Sequence, residues 1–136
     1  MAAVKHFEWQ VRVYYEDTDA GGVVYHSNYL NFMERARTEW LRHMGFEQTY
    51  LRDVLNIVFV VHSMQIAFKK PAKFNDLLTI TSNLVKTGRG SFEFFQKITI
   101  NQQILVEAQV KVACVDAMSF KPVGIPEQIR LKMEST

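Results

Sequence analysis

The stretch "SNYLNFMERARTEWLRHMG", residues 27–45, indicates the architecture of the chain. Apolar residues recur in it every three or four positions, which is the period of an amphipathic helix. They are Tyr29, Met33, Ala36, Trp40 and Met44. Ser27 or Asn28 is expected to cap the start of this helix, and Gly45 is expected to end it. It is the one long helix that the sequence predicts.

Strand patterns lie on both sides of this helix. Residues 7–15 alternate between apolar and polar positions, as a strand with one wet face does. Four further strand-like runs follow the helix, and Asn101 begins a tight hairpin between the last two. These runs cover residues 57–70, 76–87, 91–100 and 106–114. A strand, a long helix and a four-stranded meander predict one α+β domain over residues 1–136, and a short helix is expected at 126–133.

Composition and charge exclude several classes of protein. The 136 residues carry a net charge of +2 with both signs dispersed, which does not suit a nucleic-acid-binding protein. No stretch approaches the roughly 20 apolar residues of a membrane span. The first ten residues lack the apolar core of a signal peptide, so we expect a cytoplasmic protein. Cys114, the single cysteine, falls in an apolar strand pattern and is expected to be a buried thiol.

The segment "EDTDAGGVVYH", residues 16–26, places acids and a double glycine directly before the helix. A calcium loop starting at Asp17 would need a glutamate where Asn28 stands. The four histidines lack the spacing of zinc ligands, so we expect no metal site. A plain turn would explain the glycines. It would not explain the apolar residues between the acids and the helix.

The same segment contains the parts of an acyl-transfer site. A helix N-terminus presents unpaired N–H groups and partial positive charge, which stabilise a carbonyl oxygen as it becomes an oxyanion. A carboxylate held opposite can attack the carbonyl carbon or deprotonate a water that does so. Glycine before the helix lets the backbone approach a substrate closely. The segment therefore predicts a hydrolase.

The segment "VRVYYEDTDAGGVVYHSNYLNFMERARTEWLR", residues 11–42, resembles the 4-hydroxybenzoyl-CoA thioesterase family of hotdog-fold enzymes. It is most similar to the acyl-CoA thioesterase branch encoded beside the bacterial Tol–Pal envelope system, and the resemblance continues to "CVDAMSFKPVGIP" at residues 114–126. It implies one long helix wrapped by a five-stranded, largely antiparallel sheet. It also implies hydrolysis of acyl-CoA to free acid and coenzyme A without a cofactor, in homodimers that pair into tetramers.

The resemblance also implies roles for individual residues. Asp19 corresponds to the catalytic carboxylate, as general base or nucleophile, and His26 to the residue whose backbone N–H polarises the thioester carbonyl. In the most similar branch the imidazole of His26 and the side chain of Tyr15 belong to the site. Two alternatives stay open. The imidazole of His26 could serve only as part of the wall of the site, and Tyr15 could be a core residue. Substrate contacts are expected at Gly22, Val23 and Tyr25.

The phosphates of coenzyme A require a basic surface. Arg89, Gly90 and Ser91 form a turn that offers a guanidinium and backbone N–H groups. Lys69, Lys70, Lys73 and Lys121 flank other turns where such a surface could form, and an ordinary surface role is the open alternative for each. These residues are the expected coenzyme A contacts.

Two functions of different class fit these features. The first is an acyl-CoA thioesterase. The second is a non-catalytic protein that binds acyl-CoA or acyl carrier protein in the same pocket. Asp19 favours the enzyme, because a binding protein gains little from a carboxylate facing an electrophile. A hotdog dehydratase is disfavoured, because no differently placed His and acid signature is present.

Overall fold

The computed structural model describes residues 5–135, which form five strands and three α-helices. The elements are β1 (Lys5–Arg12), α1 (His26–His43), α2 (Gln48–Asp53), β2 (Ile57–Phe68), β3 (Leu77–Thr87), β4 (Ser91–Ile100), β5 (Gln103–Asp116) and α3 (Glu127–Ser135), with a 3₁₀ turn at Tyr15–Asp17. The predicted α+β class with one long helix is confirmed. No helix within residues 5–135 is long and apolar enough to cross a bilayer. The first four residues of the N-terminal segment considered above lie outside the described part.

All five strands pair antiparallel, in the order β1-β3-β4-β5-β2. Strands β3, β4 and β5 form a meander, and the β4–β5 hairpin turns at Asn101 and Gln102 with φ of 49° and 68°. These left-handed conformations match the twist of a two-residue hairpin. The prediction of a four-stranded meander is wrong for its first strand, because β2 pairs with β5 and not with β3. As a result, β1 and β2 are the two edges of the sheet.

Helix α1 begins at His26, two residues before the first position that a cap at Ser27 would allow. Its N-cap is Tyr25, whose side chain makes no capping hydrogen bond. The side-chain amide of Asn28 donates to the backbone oxygen of Asp17 at 2.8 Å, so it fastens the preceding loop instead. The prediction of a cap by Ser27 or Asn28 is therefore wrong, and the start of the helix carries no side-chain cap.

The end of α1 is the predicted one. Gly45 has φ of 95°, the left-handed conformation that glycine adopts most readily. The N–H of Gly45 donates to the oxygen of Arg42, and the N–H of Phe46 donates to the oxygen of Leu41, both at 2.9 Å. This pair of bonds is a Schellman motif, which satisfies carbonyls that the helix leaves free.

The core lies between α1 and the inner face of the sheet. Trp40 of the helix packs edge-on against Phe94 of β4, with ring centroids 4.8 Å apart. Two polar side chains of the described residues, Ser82 and Gln96, are buried here with 0% exposure. The Gln96 amide nitrogen donates to the Met33 oxygen at 3.1 Å and to the Ser82 hydroxyl at 2.9 Å, which ties the helix to the sheet.

Strand β2 is covered less well than the rest of the sheet. Its inner face is apolar, since the side chains of Phe59, Val61, Met64, Ile66 and Phe68 stand opposite buried residues of β5. Helix α1 packs closest to β1 and β3. Val61 and Phe68 are consequently 46% and 43% exposed. We call the space between these two elements the α1–β2 groove and define it by one face of the helix and the inner face of the strand. These faces carry His26, Leu30, Glu34 and Arg37 on the helix and Val61, Met64, Ile66 and Phe68 on the strand.

Candidate active site

The chain between β1 and α1 folds into a tight loop around Asp17. Strand β1 ends at Arg12, before the expected end at Tyr15, because the N–H of Tyr14 donates to the Asp17 carboxylate at 2.9 Å and starts the 3₁₀ turn. The Asp17 backbone oxygen accepts the N–H of Tyr25 at 3.0 Å. Asp17 therefore holds the loop and the first turn of α1 in one fixed arrangement.

Asp19 is held by backbone groups of its own turn. Its N–H donates to the oxygen of Val23 at 2.9 Å, and its oxygen accepts the N–H of Gly22 at 3.0 Å. Its carboxylate oxygen Oδ1 accepts the N–H of Gly21 at 2.8 Å. Gly22 has φ of 82°, and a Cβ at Gly21 would lie 3.2 Å from Oδ1. The double glycine thus allows the turn that presents the Asp19 carboxylate.

Asp19 and the start of α1 line the same cavity, of about 230 Å³. Val23 and His26 line it as well. The remaining walls are Val24, Tyr29, Phe68, Lys69, Lys70 and Pro71. The structure therefore brings together three of the expected site residues: the acid, the apolar residue after the glycines and the first residue of the helix.

The N-terminal turn of α1 faces this cavity without a capping side chain. His26 is its first residue, and the turn contains no acidic side chain. Its free N–H groups and the positive end of the helix dipole are available to a negative oxygen. The His26 imidazole packs edge-on against Phe68 with centroids 4.8 Å apart, and it makes no hydrogen bond within residues 5–135. Tyr25 is exposed beside it.

Several cavity residues come from a distant segment that sequence spacing does not connect with Asp19. Phe68, Lys69 and Pro71 follow the end of β2. The buried hydroxyl of Tyr29 accepts the N–H of Ala72 at 2.9 Å and anchors this segment beside the helix. Burial raises the pKa of Tyr29, so the hydroxyl stays protonated at neutral pH. Lys69 and Lys70 were singled out in the sequence only as basic residues flanking a turn.

Tyr15 occupies a different position. Its ring stacks on Phe74 with centroids 3.8 Å apart and 5° between the planes, and it is 75% exposed. It lines a separate cavity with Arg12 and Tyr14. The alternative of Tyr15 as a core residue is therefore wrong, and within one subunit Tyr15 does not line the Asp19 cavity.

The turn at Arg89, Gly90 and Ser91 also lies away from Asp19. The backbone oxygens of Arg89 and Gly90 accept bonds from Ile125 and Cys114 at 2.8 and 2.9 Å, which fix the turn. Ser91 lies level with the beginning of β2, whereas the cavity lies at its end. At the usual rise of a strand, the two ends are about 23 Å apart.

Two further features limit the chemistry of the site. Within residues 5–135, no three His, Cys, Asp or Glu side chains are grouped as metal ligands. Cys114 is fully buried, and burial raises the pKa of its thiol to about 11. The thiol is therefore protonated at neutral pH, whereas only the thiolate form of a cysteine is a nucleophile.

The chain is similar to known proteins along almost its whole length. A family model described as thioesterase superfamily matches residues 21–107. Acyl-CoA thioesterase YbgC of Haemophilus influenzae is 45% identical over 124 residues, covering 91% of each chain. The crystal structure of a probable thioesterase from Bartonella henselae is 39% identical with a TM-score of 0.85, covering 89% of this chain and 99% of that one. The crystal structure of a 4-hydroxybenzoyl-CoA thioesterase mutant in complex with 4-hydroxybenzoyl-CoA has a TM-score of 0.88 and covers 96% of this chain and 99% of that one. Its sequence identity is 18%, so this similarity shows the fold alone.

Proposed function

Because the chain belongs to the thioesterase superfamily, we propose that Asp19 and the first turn of α1 form its catalytic centre. The protein is an acyl-CoA thioesterase of the hotdog fold. The observation that carries the proposal is the shared cavity: the carboxylate of Asp19 and the uncapped helix start line one space of about 230 Å³. These are the two groups that hydrolysis of a thioester requires.

The reaction follows from these positions. The thioester oxygen accepts the His26 N–H, and the helix dipole stabilises the negative charge that develops on this oxygen. Asp19 either takes a proton from a water that attacks the carbonyl carbon, or attacks this carbon itself and forms a mixed anhydride. In both routes the C–S bond breaks, coenzyme A leaves as a thiolate that takes up a proton, and water supplies the new oxygen.

Lys69 and Lys70 suit the charged part of the substrate. Both line the cavity beside Asp19. Lys69 pairs with Glu107 at 3.2 Å, whereas Lys70 makes no ion pair within residues 5–135. An ammonium group at the mouth of the cavity attracts the phosphates of coenzyme A. The same charge suits the phosphate of a phosphopantetheine arm, so acyl carrier protein is an alternative donor.

A thiol-release assay on acyl-CoA esters tests the catalytic centre, followed by a single turnover in heavy-oxygen water. We expect turnover of at least one ester. A peptide containing Asp19 that gains heavy oxygen would identify attack by the carboxylate, and an unlabelled peptide would identify the general-base route. Cys114 does not disturb the assay, because it is buried and protonated. Binding of acyl-CoA esters without any turnover would contradict the proposal and favour the non-catalytic alternative.

We propose further that the protein is a homodimer formed through β2, with tetramers arising when dimers pair. The strand is an edge with an apolar, half-exposed inner face, and such an edge requires cover. Antiparallel pairing of two β2 strands about a two-fold axis would bring the partner's Arg89–Ser91 turn to the Asp19 end of the first subunit. The expected coenzyme A contacts of that turn would then act across the interface.

Val61→Asp is expected to convert the dimer into a monomer, because it places a charge on the apolar edge that the second copy would cover. Sedimentation would give a mass near the 15.8 kDa of one chain, and this mass is the readout, since Val61 also lines a cavity within one subunit. Val85→Asp is the matched control, since Val85 is 57% exposed on β3, away from β2. An unchanged mass for Val61→Asp would contradict an interface through β2.

A cytoplasmic location fits the protonated, unpaired Cys114 and is part of the proposal. The link to the Tol–Pal system follows from the resemblance in sequence and stays a prediction. Fractionation of cells that produce the protein would test the location.

A further inference from the structure

A second cavity, of about 310 Å³, lies at the far end of the α1–β2 groove. Most of its wall is apolar and aromatic. This part is formed by Trp40, Leu41, Phe59, Phe92, Phe94 and Val112. Glu34, Arg37 and Thr38 of α1 also line the cavity. A largely apolar pocket with a few polar groups is the usual form of a small-molecule site.

One face of α1 runs from the catalytic centre to this cavity. His26, Leu30, Glu34 and Arg37 follow one another at three or four residues and therefore share one face of α1. Phe68 of β2 contacts His26 at one end of the groove, and Val61 lines the second cavity at the other. Along the helix, His26 and Arg37 are about 16 Å apart. An acyl chain that leaves the thioester at His26 and runs along this face, between α1 and β2, would reach the second cavity.

Arg37 is the unusual group of this cavity. It is half-buried although it is charged, and its Nη1 donates to the Oε1 of Gln96 at 2.8 Å. The Gln96 nitrogen is already committed to Met33 and Ser82. Gln96 is therefore a fixed anchor that orients the guanidinium. A guanidinium has five N–H donors, and Gln96 is the hydrogen-bond partner of Arg37 within residues 5–135.

Glu34 lies one turn before Arg37 and lines the same cavity. Burial lowers the pKa of Arg37, and the charge of Glu34 offsets part of this effect. The two side chains form no ion pair within the described residues. The guanidinium of Arg37, a hydrogen-bond donor, and the carboxylate of Glu34, an acceptor, thus line one cavity without bonding to each other.

We infer that this cavity binds a hydroxyl group on the distal part of the acyl chain, between Arg37 and Glu34. A hydroxyl accepts a bond from the guanidinium and donates one to the carboxylate. A terminal methyl group would leave the other N–H donors of the half-buried guanidinium, beyond the one bonded to Gln96, without a partner. A terminal carboxylate would meet the like charge of Glu34. The substrate class is accordingly coenzyme A esters of hydroxylated medium-chain acids, and the inference rests on the proposed catalytic centre.

The test compares coenzyme A esters of one medium chain length with a terminal methyl, hydroxyl or carboxylate group. For the native protein we expect kcat/KM to be at least about tenfold higher for the hydroxyl ester, which is the effect of one hydrogen bond to a charged group. Moving the hydroxyl towards the thioester should abolish the advantage, because the hydroxyl would then lie short of Arg37 and Glu34. This series needs no variant, so its result does not depend on the folding of one.

Arg37→Met is expected to remove the hydroxyl preference, and Arg35→Met, the same change at an exposed neighbour, is expected to keep it. For each variant we compare the ratio of kcat/KM for the hydroxyl ester to kcat/KM for the methyl ester. A loss of activity that affects both esters equally does not change this ratio. An equal rate for methyl and hydroxyl esters in the native protein would overturn the inference, as would a higher rate for the carboxylate ester. If Arg37→Met loses the dimer but keeps the native ratio, the inference is also overturned. Arg37 would then contact the second copy instead of the acyl chain. Turnover of short esters that depends on Asp19 tests the catalytic centre separately.

Discussion

Asp19→Asn is expected to lower kcat by about 10²–10⁴-fold, the usual contribution of a general acid–base group in a hydrolase. Asparagine keeps the size of the side chain and its Oδ1 acceptor, so the bond from the Gly21 N–H is retained. The substitution removes the negative charge that either attacks the thioester or takes the proton from water. The thiol-release assay measures the loss, and thermal melting confirms that the fold is intact.

Glu16→Gln is the matched control for this variant. Glu16 is an exposed acid of the same loop and makes no hydrogen bond or ion pair within residues 5–135. The same neutralisation three residues away should leave kcat within about twofold, because Glu16 does not line the Asp19 cavity and its exposed charge acts through water. Equal activity of Asp19→Asn and the native protein would make Asp19 a structural residue and remove it from the mechanism.

His26→Pro is expected to lower kcat by about 10²–10³-fold, because it deletes the backbone donor proposed for the oxyanion. Proline is well tolerated at the first position of a helix, where the N–H has no partner in the helix. Tyr25 before it already has φ of −68° and ψ of 140°, the extended conformation that a following proline requires. The substitution therefore removes one N–H at little cost to the fold.

His26→Ala separates the backbone from the imidazole. Alanine keeps the N–H and removes the ring that packs on Phe68. If the N–H polarises the carbonyl, His26→Ala loses much less activity than His26→Pro. Equal losses in the two variants would assign the role to the imidazole. Acyl-CoA binding by His26→Pro, measured by calorimetry, shows that its cavity is still formed.

The elements that local sequence determines were predicted well. The end of α1 at Gly45 and the hairpin at Asn101 each depend on a few neighbouring residues whose backbone preferences are strong. The start of α1 was misplaced because Asn28 bonds to Asp17 across the loop. The short helix Gln48–Asp53 was missed, since six residues carry too little periodicity to be recognised.

The features that were not predicted depend on contacts between residues far apart in sequence. Strand β2 has the same alternation whether it pairs with β3 or with β5, so its place at the edge could not be read from the pattern. Asp19, Val23 and His26 were expected together because the family resemblance assigns all three to one site. Arg37 was not predicted as a site residue, because its anchor, Gln96, lies 59 residues away on another strand.

The buried amide of Gln96 also selects one alignment of the growing sheet. Ser82 and Gln96 stand directly opposite each other on β3 and β4. A slip of β4 by two residues would keep apolar side chains facing inward, so the hydrophobic pattern alone does not oppose it. Such a slip would move Gln96 away from both Ser82 and the Met33 oxygen and leave a polar amide unsatisfied in the core. A folding chain is thereby directed to a single strand alignment, the one in which helix and sheet share this amide.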